Sequence, residues 1–307
     1  MKKGVLSAIG AYLTWGLLPI YLKSLHEVPA VQIVFHRIVW SFLFLVVIML
    51  ARKEWKKLVV SVFSFRVLLI YVLTAFLLAA NWMMYVWGVN AGHVVETSLG
   101  YYINPLFSVI LGVVLLKEKL RAWQWVPVGM ATAGVLYLTL YHGRLPWIAL
   151  VLALTFSLYG LFKKIAPLNS LYGLTIETTV LFLPAFASLL YFNTQGSGAF
   201  GHTGWLVAVL LPLSGIITSV PLLLYSTAAR SIPLSLLGIL QYLSPTMQLI
   251  LGLLLFREPF TWEQVFGYSI IWAALIILTI EGWTNWRKNQ ALNTASNLAP
   301  ETVKKPV

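Results

Sequence analysis

A chain of 307 residues in which hydrophobic side chains make up 60% and charged ones 10%, with a mean hydropathy of +0.86, is excluded from the soluble class, where about a quarter of residues are charged. The net charge of +12 then reads as a mark of membrane orientation rather than of nucleic-acid binding. Cysteine is absent, which excludes disulfide frames, thiolate catalysis and zinc–thiolate sites.

The N-terminal MKKGVLSAIGAYLTWGLLPIYL has the basic start of a signal peptide. Its apolar stretch is too long for one and no small-x-small cleavage site follows, so it predicts a retained first span. Apolar runs separated by turn and charge breaks place spans near 4–23, 29–51, 65–87, 93–116, 122–140, 146–162, 170–192, 203–227, 232–256 and 262–283, each near the roughly 20 residues a crossing needs. The expected fold is an all-α membrane protein with ten transmembrane helices and no room for a soluble catalytic domain. Residues 284–307 lose apolar periodicity and are expected to form a disordered cytoplasmic tail. The other notable loop is Asn193–His202, rich in Gly and Ser.

With the N-terminus in the cytoplasm, seventeen of the 21 Lys and Arg residues fall inside, from Lys2 and Lys3 through Arg52, Lys53, Lys56 and Lys57 to Lys304 and Lys305. Lys23, Arg144 and Arg257 fall outside, and Arg37 lies within a span. This bias places both termini inside. Because the charge is spread over every cytoplasmic loop, it does not mark a nucleic-acid groove.

Residues 102–124 repeat at 242–264, with identity at 8 of 23 aligned positions: Tyr102/Tyr242, Pro105/Pro245, Ile110/Ile250, Leu111/Leu251, Gly112/Gly252, Leu115/Leu255, Glu118/Glu258 and Gln124/Gln264. Such self-similarity marks a tandem duplication. Five spans per half is an odd number, so the second half enters the membrane from the opposite side. Lys117-Glu118-Lys119 then ends span 4 inside while Arg257-Glu258-Pro259 ends span 9 outside. The expected halves are residues 1–143 and 144–283, inverted relative to one another, the architecture of many secondary transporters with a midplane site.

Ionisable residues at membrane depth point to that site, since one at a helix centre costs roughly 2.5–3.5 kcal/mol even on lenient scales. Arg37 lies about two turns into span 2, Glu96 one turn into span 4 and Glu177 about two turns into span 7. Arg37 should face the bundle interior and meet a carboxylate or a substrate anion, with Glu96 the expected partner; a static packing pair or snorkelling to the interface is the alternative. The stretch NWMMYVWGVNAGHVVETSLGYYINPL is the densest polar and aromatic one, and Asn81, Trp82, Tyr85, Tyr101, Tyr102 and Asn104 bring hydrogen-bonding groups into apolar helices. Trp15, Trp40, Tyr225, Gln241, Tyr242 and Gln248 could line the same cavity. Pro105 and Pro245 are equivalent under the repeat and are expected to kink their helices as a gating pair.

That stretch, the ten-span map and the repeated Pro-Gly-Glu pattern resemble the RarD branch of the EamA family within the drug/metabolite transporter superfamily. The resemblance covers nearly all of residues 1–283 and implies a bacterial inner-membrane secondary transporter, an exporter of metabolites or drugs. It brings no agreed set of site residues. The halves differ where Asn104 becomes Ser244 and Lys119 becomes Pro259, so strict symmetry at the site is not expected.

The expected function is secondary transport of a small organic solute by alternating access, coupled to protons or to exchange. The expected partners are a small-molecule substrate and the lipid bilayer, the chain being a monomer or a weak homodimer without cofactor or metal. ATP-driven transport is disfavoured because no GxxxxGK[ST] stretch occurs. An intramembrane enzyme would show HExxH, GxSxG or a similar constellation, and a channel a repeated filter or ring of like residues; neither pattern is present.

Overall fold

Prolines set several helix starts: chain segments emerge from Pro29, Pro146 and Pro233 directly into helices, where a missing backbone N–H costs nothing because the first turn has no acceptor for it. The computed structural model describes residues 2–62, 64–91, 93–141, 146–255 and scattered positions between 262 and 280. Among these the regular elements are helices: α1 (Lys2–Lys23), α2 (Ala30–Ala51), α3 (Trp55–Ser61), α4 (Phe65–Asn90), α5 (Val94–Val114), α6 (Ala122–Tyr141), α7 (Trp147–Ile165), α8 (Ser170–Thr194), α9 (Trp205–Ser231), α10 (Leu234–Gln241) and α11 (Leu243–Leu254). Counting α10 and α11 as one, seven spans among the described residues are long and apolar enough to cross a membrane, and Leu99–Val114 is a shorter apolar helix. The chain is thus an all-helical, multi-pass membrane protein.

Two features depart from the sequence reading. The basic segment after span 2 holds the short helix α3, whose WKKLVVS sequence buries Leu58 alone and leaves its lysines exposed. The expected span 232–256 is interrupted at Tyr242. Pro245 causes this, since its ring collides with the carbonyl four residues back, at Gln241. Pro105 leaves α5 continuous over Val94–Val114. The expected tail, 284–307, lies outside the described residues, as do Arg257, Glu258 and Pro259.

The chain forms two compact units, Met1–Glu118 with Gly143–Phe260, and Lys119–His142 with Thr261–Val307. In the second, Tyr137 of α6 meets Phe266 edge to face with centroids 5.1 Å apart. In the first, helices from the two sequence halves interleave. Helix α5 runs antiparallel to α10 and α11: Glu118 just past its end reaches Leu234 at the start of α10, while Tyr102 near its start meets Tyr242. The neighbour relations pair off under the repeat. α1 packs on α9 as α4 packs on α7, α2 on α9 as α4 on α8, and α1 on α10 and α11 as α7 on α5. Gln32 tethers the Gly/Ser loop, donating to the Ser197 carbonyl at 2.7 Å and accepting from the Ala199 N–H at 2.9 Å.

Close approach of α5 and α10 depends on Gly238, where a Cβ would lie 2.6 Å from Ser108 Cβ and 2.8 Å from the Pro105 carbonyl oxygen. Gly238→Ala should therefore destabilise the protein by about 1–3 kcal/mol, the usual cost of overpacking. Gly129→Ala, where nothing lies within 4 Å, should not. Thermal unfolding in detergent compares the two, and equal melting points would refute the packing argument.

Candidate functional site

A cavity of about 170 Å³ lies in the first unit. It reaches Leu22 and Ala30, at the adjoining ends of α1 and α2, and Trp15, seven residues back along α1, lines it about 10 Å away at the helical rise. Both sequence halves contribute: α1, α2, α4 and α5 from the first, α7, α9, α10 and α11 from the second.

Of the expected site residues, Arg37, Asn81, Trp82, Tyr85, Tyr101, Asn104 and Gln241 line this cavity, with Pro245. Trp15 and Gln248 line it too, and Gln248 Nε2 donates to the Trp15 carbonyl at 3.1 Å. Asn81 spends both amide hydrogens on α7, donating to the Leu152 carbonyl and to Thr155 Oγ1, each at 2.9 Å. The Asn104 side-chain carbonyl accepts from Ser157 Oγ at 2.9 Å. Thr218 and Phe156 escaped the sequence reading, because a lone Thr or Phe in an apolar helix carries no pattern that separates it from packing.

Arg37 is held in place by two contacts. Its Nε donates to Thr218 Oγ1 at 2.9 Å, and its guanidinium carbon lies 4.7 Å from the centroid of the Trp82 ring, within cation–π range. No carboxylate pairs with it among the described residues. The expected Arg37–Glu96 pair does not form. Glu96 Oε1 instead accepts from the Ile148 N–H at 2.8 Å, at the first turn of α7, where helix-end N–H groups and the macrodipole favour an anion.

Glu177 is also elsewhere. It is fully buried and takes three hydrogen bonds: from Thr74 Oγ1 at 2.6 Å, Lys163 Nζ at 2.9 Å and Tyr159 OH at 3.2 Å. Between it and the cavity lies an aromatic cluster. Trp15 and Phe156 face the cavity, and behind them Tyr225 lies 5.6 and 5.2 Å from their centroids. Tyr159, stacked on Tyr225 at 6.0 Å, carries the hydroxyl that reaches Glu177. Tyr225 therefore belongs to the floor rather than the lining. Tyr102 and Tyr242 seal α5 against α11, with Tyr242 OH donating to the Tyr102 carbonyl at 3.1 Å. The carbonyl of Pro105 faces Gly238. Trp40 packs on Phe200, with centroids 5.9 Å apart.

The end of the unit remote from the cavity is closed by Glu118. Its Oε1 accepts from the Leu234 N–H at 2.7 Å, and its Oε2 from the Ser235 N–H at 2.9 Å and Ser235 Oγ at 2.7 Å. Lys164 Nζ lies 3.7 Å from the same carboxylate and donates to the Ile232 carbonyl at 2.6 Å.

An apolar bundle whose helices wall a cavity carrying several polar groups has the form of a container for a solute. Comparison with known proteins agrees. The EamA-like transporter family matches residues 2–140 and again 145–280. The protein RarD of Streptomyces exfoliatus is 42% identical over 305 residues, 99% of this chain and 96% of that protein. An uncharacterized transporter of Bacillus subtilis, YojE, is 42% identical over 291 residues, covering 94% of this chain and 96% of its own. A solved crystal structure superimposes with a TM-score of 0.66 at 18% identity, covering 91% of this chain and 98% of its own, which bears on the fold alone. With two family matches that together span nearly the whole sequence, the chain belongs to the EamA-like transporter family and is a membrane transporter.

Proposed function

We propose that the protein is a bacterial inner-membrane secondary transporter that exports a small organic solute by alternating access between two inverted halves, residues 1–143 and 144–283. Ten spans with both termini cytoplasmic complete this reading, supported by the distribution of Lys and Arg along the sequence. The observation that carries it is the cavity's position: helices of both halves wall it, it reaches the adjoining ends of α1 and α2, and the Glu118 contacts join the two halves at the opposite end. Antiparallel pairing of the duplicated segments supplies the symmetry that lets one half rock against the other and present the same cavity to the other side. Arg37, Asn81, Trp82, Tyr85, Tyr101, Asn104 and Gln241 bind the solute, and protons or a counter-solute drive its movement.

The absence of cysteine makes the topology directly testable. Lys119→Cys and Pro259→Cys should react with an impermeant maleimide from opposite faces of the membrane; reaction from one face overturns the inversion. Proteoliposomes of the purified protein, offered a metabolite mixture with and without a pH gradient, should take up at least one solute saturably. Uptake no greater than in empty liposomes for every component overturns transport.

A further inference from the structure

Resting on the transporter reading, we infer that the cavity takes a small organic monoanion, a carboxylate on an apolar or one-ring body, with Arg37 as its counter-charge. The anchoring of Arg37 leaves the outer edge of its guanidinium for a ligand: Nε is committed to Thr218 and the planar face to Trp82. Two terminal nitrogens in a fixed plane match the two oxygens of a carboxylate.

The described residues supply no anion there. No Asp or Glu lines the cavity among the described residues. Glu96, Glu118 and Glu177 are occupied as described, Glu27 lies on the surface beside His26, and Glu54 stands ahead of α3. A guanidinium withdrawn from water without a counter-ion is costly, and a bound carboxylate removes that cost. The same absence of acidic groups among the described lining residues argues against a cation or a zwitterion, whose ammonium would meet no carboxylate there and would stand near the Arg37 cation.

The remaining walls are apolar, with Leu18, Ile33, Val34, Leu152, Phe156 and Leu222 among them. About 170 Å³ is close to the roughly 150 Å³ that accommodates benzene in an apolar protein cavity, so the body is of one-ring size. A second depression of about 530 Å³ lies at the opposite end of α2, lined by Arg52 and Arg230 and by no acidic residue.

The test uses the purified full-length protein in lipid nanodiscs, with thermal stabilisation by benzoate, benzamide, benzylamine and phenylalanine as the readout. Benzoate should bind at least tenfold more tightly than the other three. Arg37→Gln should weaken benzoate at least tenfold and leave benzamide unchanged, while Arg37→Lys, which keeps the charge, should preserve the order of preference. Benzoate binding that is absent, no tighter than benzamide, or unchanged in Arg37→Gln overturns the proposal. A preference for benzamide or benzylamine defeats the anion and leaves alternating access standing, because the maleimide topology test succeeds or fails independently of it.

Discussion

Replacing Lys163 by Met should destabilise the protein by about 3–5 kcal/mol, the cost of leaving one member of a buried ion pair uncompensated, and the double variant Lys163→Met/Glu177→Met should recover most of it. The pair is 2.9 Å long with side-chain exposures of 3% and 0%, so water cannot solvate an orphaned Glu177. In the double variant, Thr74 has a substitute acceptor, the Tyr71 carbonyl 3.0 Å from its hydroxyl. Tyr159 loses its bond to Glu177, which leaves a residual deficit of about 1–2 kcal/mol. Unfolding in mixed micelles with increasing denaturing detergent measures all three proteins. A single variant within 1 kcal/mol of wild type, or a double variant no better than the single, would show that the pair does not act as a unit.

Glu118→Ala should shift the protein toward a form open at the end remote from the cavity. The substitution removes three hydrogen bonds to a carboxylate, two of them from backbone N–H groups in the first turn of α10. Hydrogen bonds to charged groups contribute roughly 1.5–3 kcal/mol each, and water admitted to the opened end replaces part of that, so a net shift of about 2–4 kcal/mol is expected. Even the lower figure changes the ratio of the two forms more than tenfold. Leu237 is 1% exposed, and a cysteine introduced there should react with a soluble thiol reagent at least tenfold faster when Glu118 is Ala. Equal rates in the two backgrounds would remove Glu118 from the gate.

The helices were legible because a membrane span announces itself by length and hydropathy. The observed α2, Ala30–Ala51, and α8, Ser170–Thr194, fall within about two residues of the runs read from sequence. What escaped were elements fixed by local geometry. Helix α3 is too short for periodicity to register, and the break at Tyr242 depends on how one proline ring meets one carbonyl. At the site, Arg37 and the Asn81 to Asn104 stretch stood out because polar groups are costly in an apolar helix and must be used. Sequence cannot say what they are used for. Glu96 and Glu177 satisfied the same criterion as Arg37, yet one caps a neighbouring helix and the other closes a buried ion pair, since three-dimensional partners decide between cargo and structure. Glu118 was visible only as part of a repeated motif, and its bonds to the start of α10 explain why a carboxylate suits that position.

If Arg37 pairs with an anionic cargo, as inferred above, it would also set the rhythm of turnover. When the carrier passes through its sealed intermediate with cargo aboard, the charges of Arg37 and the cargo cancel, and a neutral complex crosses. Without cargo the same step strands a lone cation in a medium of low dielectric, and the membrane potential, worth about 2.3 kcal/mol per elementary charge per 100 mV, acts on that leg alone. On that inference the unladen return is expected to be slow, so that the protein would work by swapping one anion for another across the bilayer, with little leak when no partner waits on the far side.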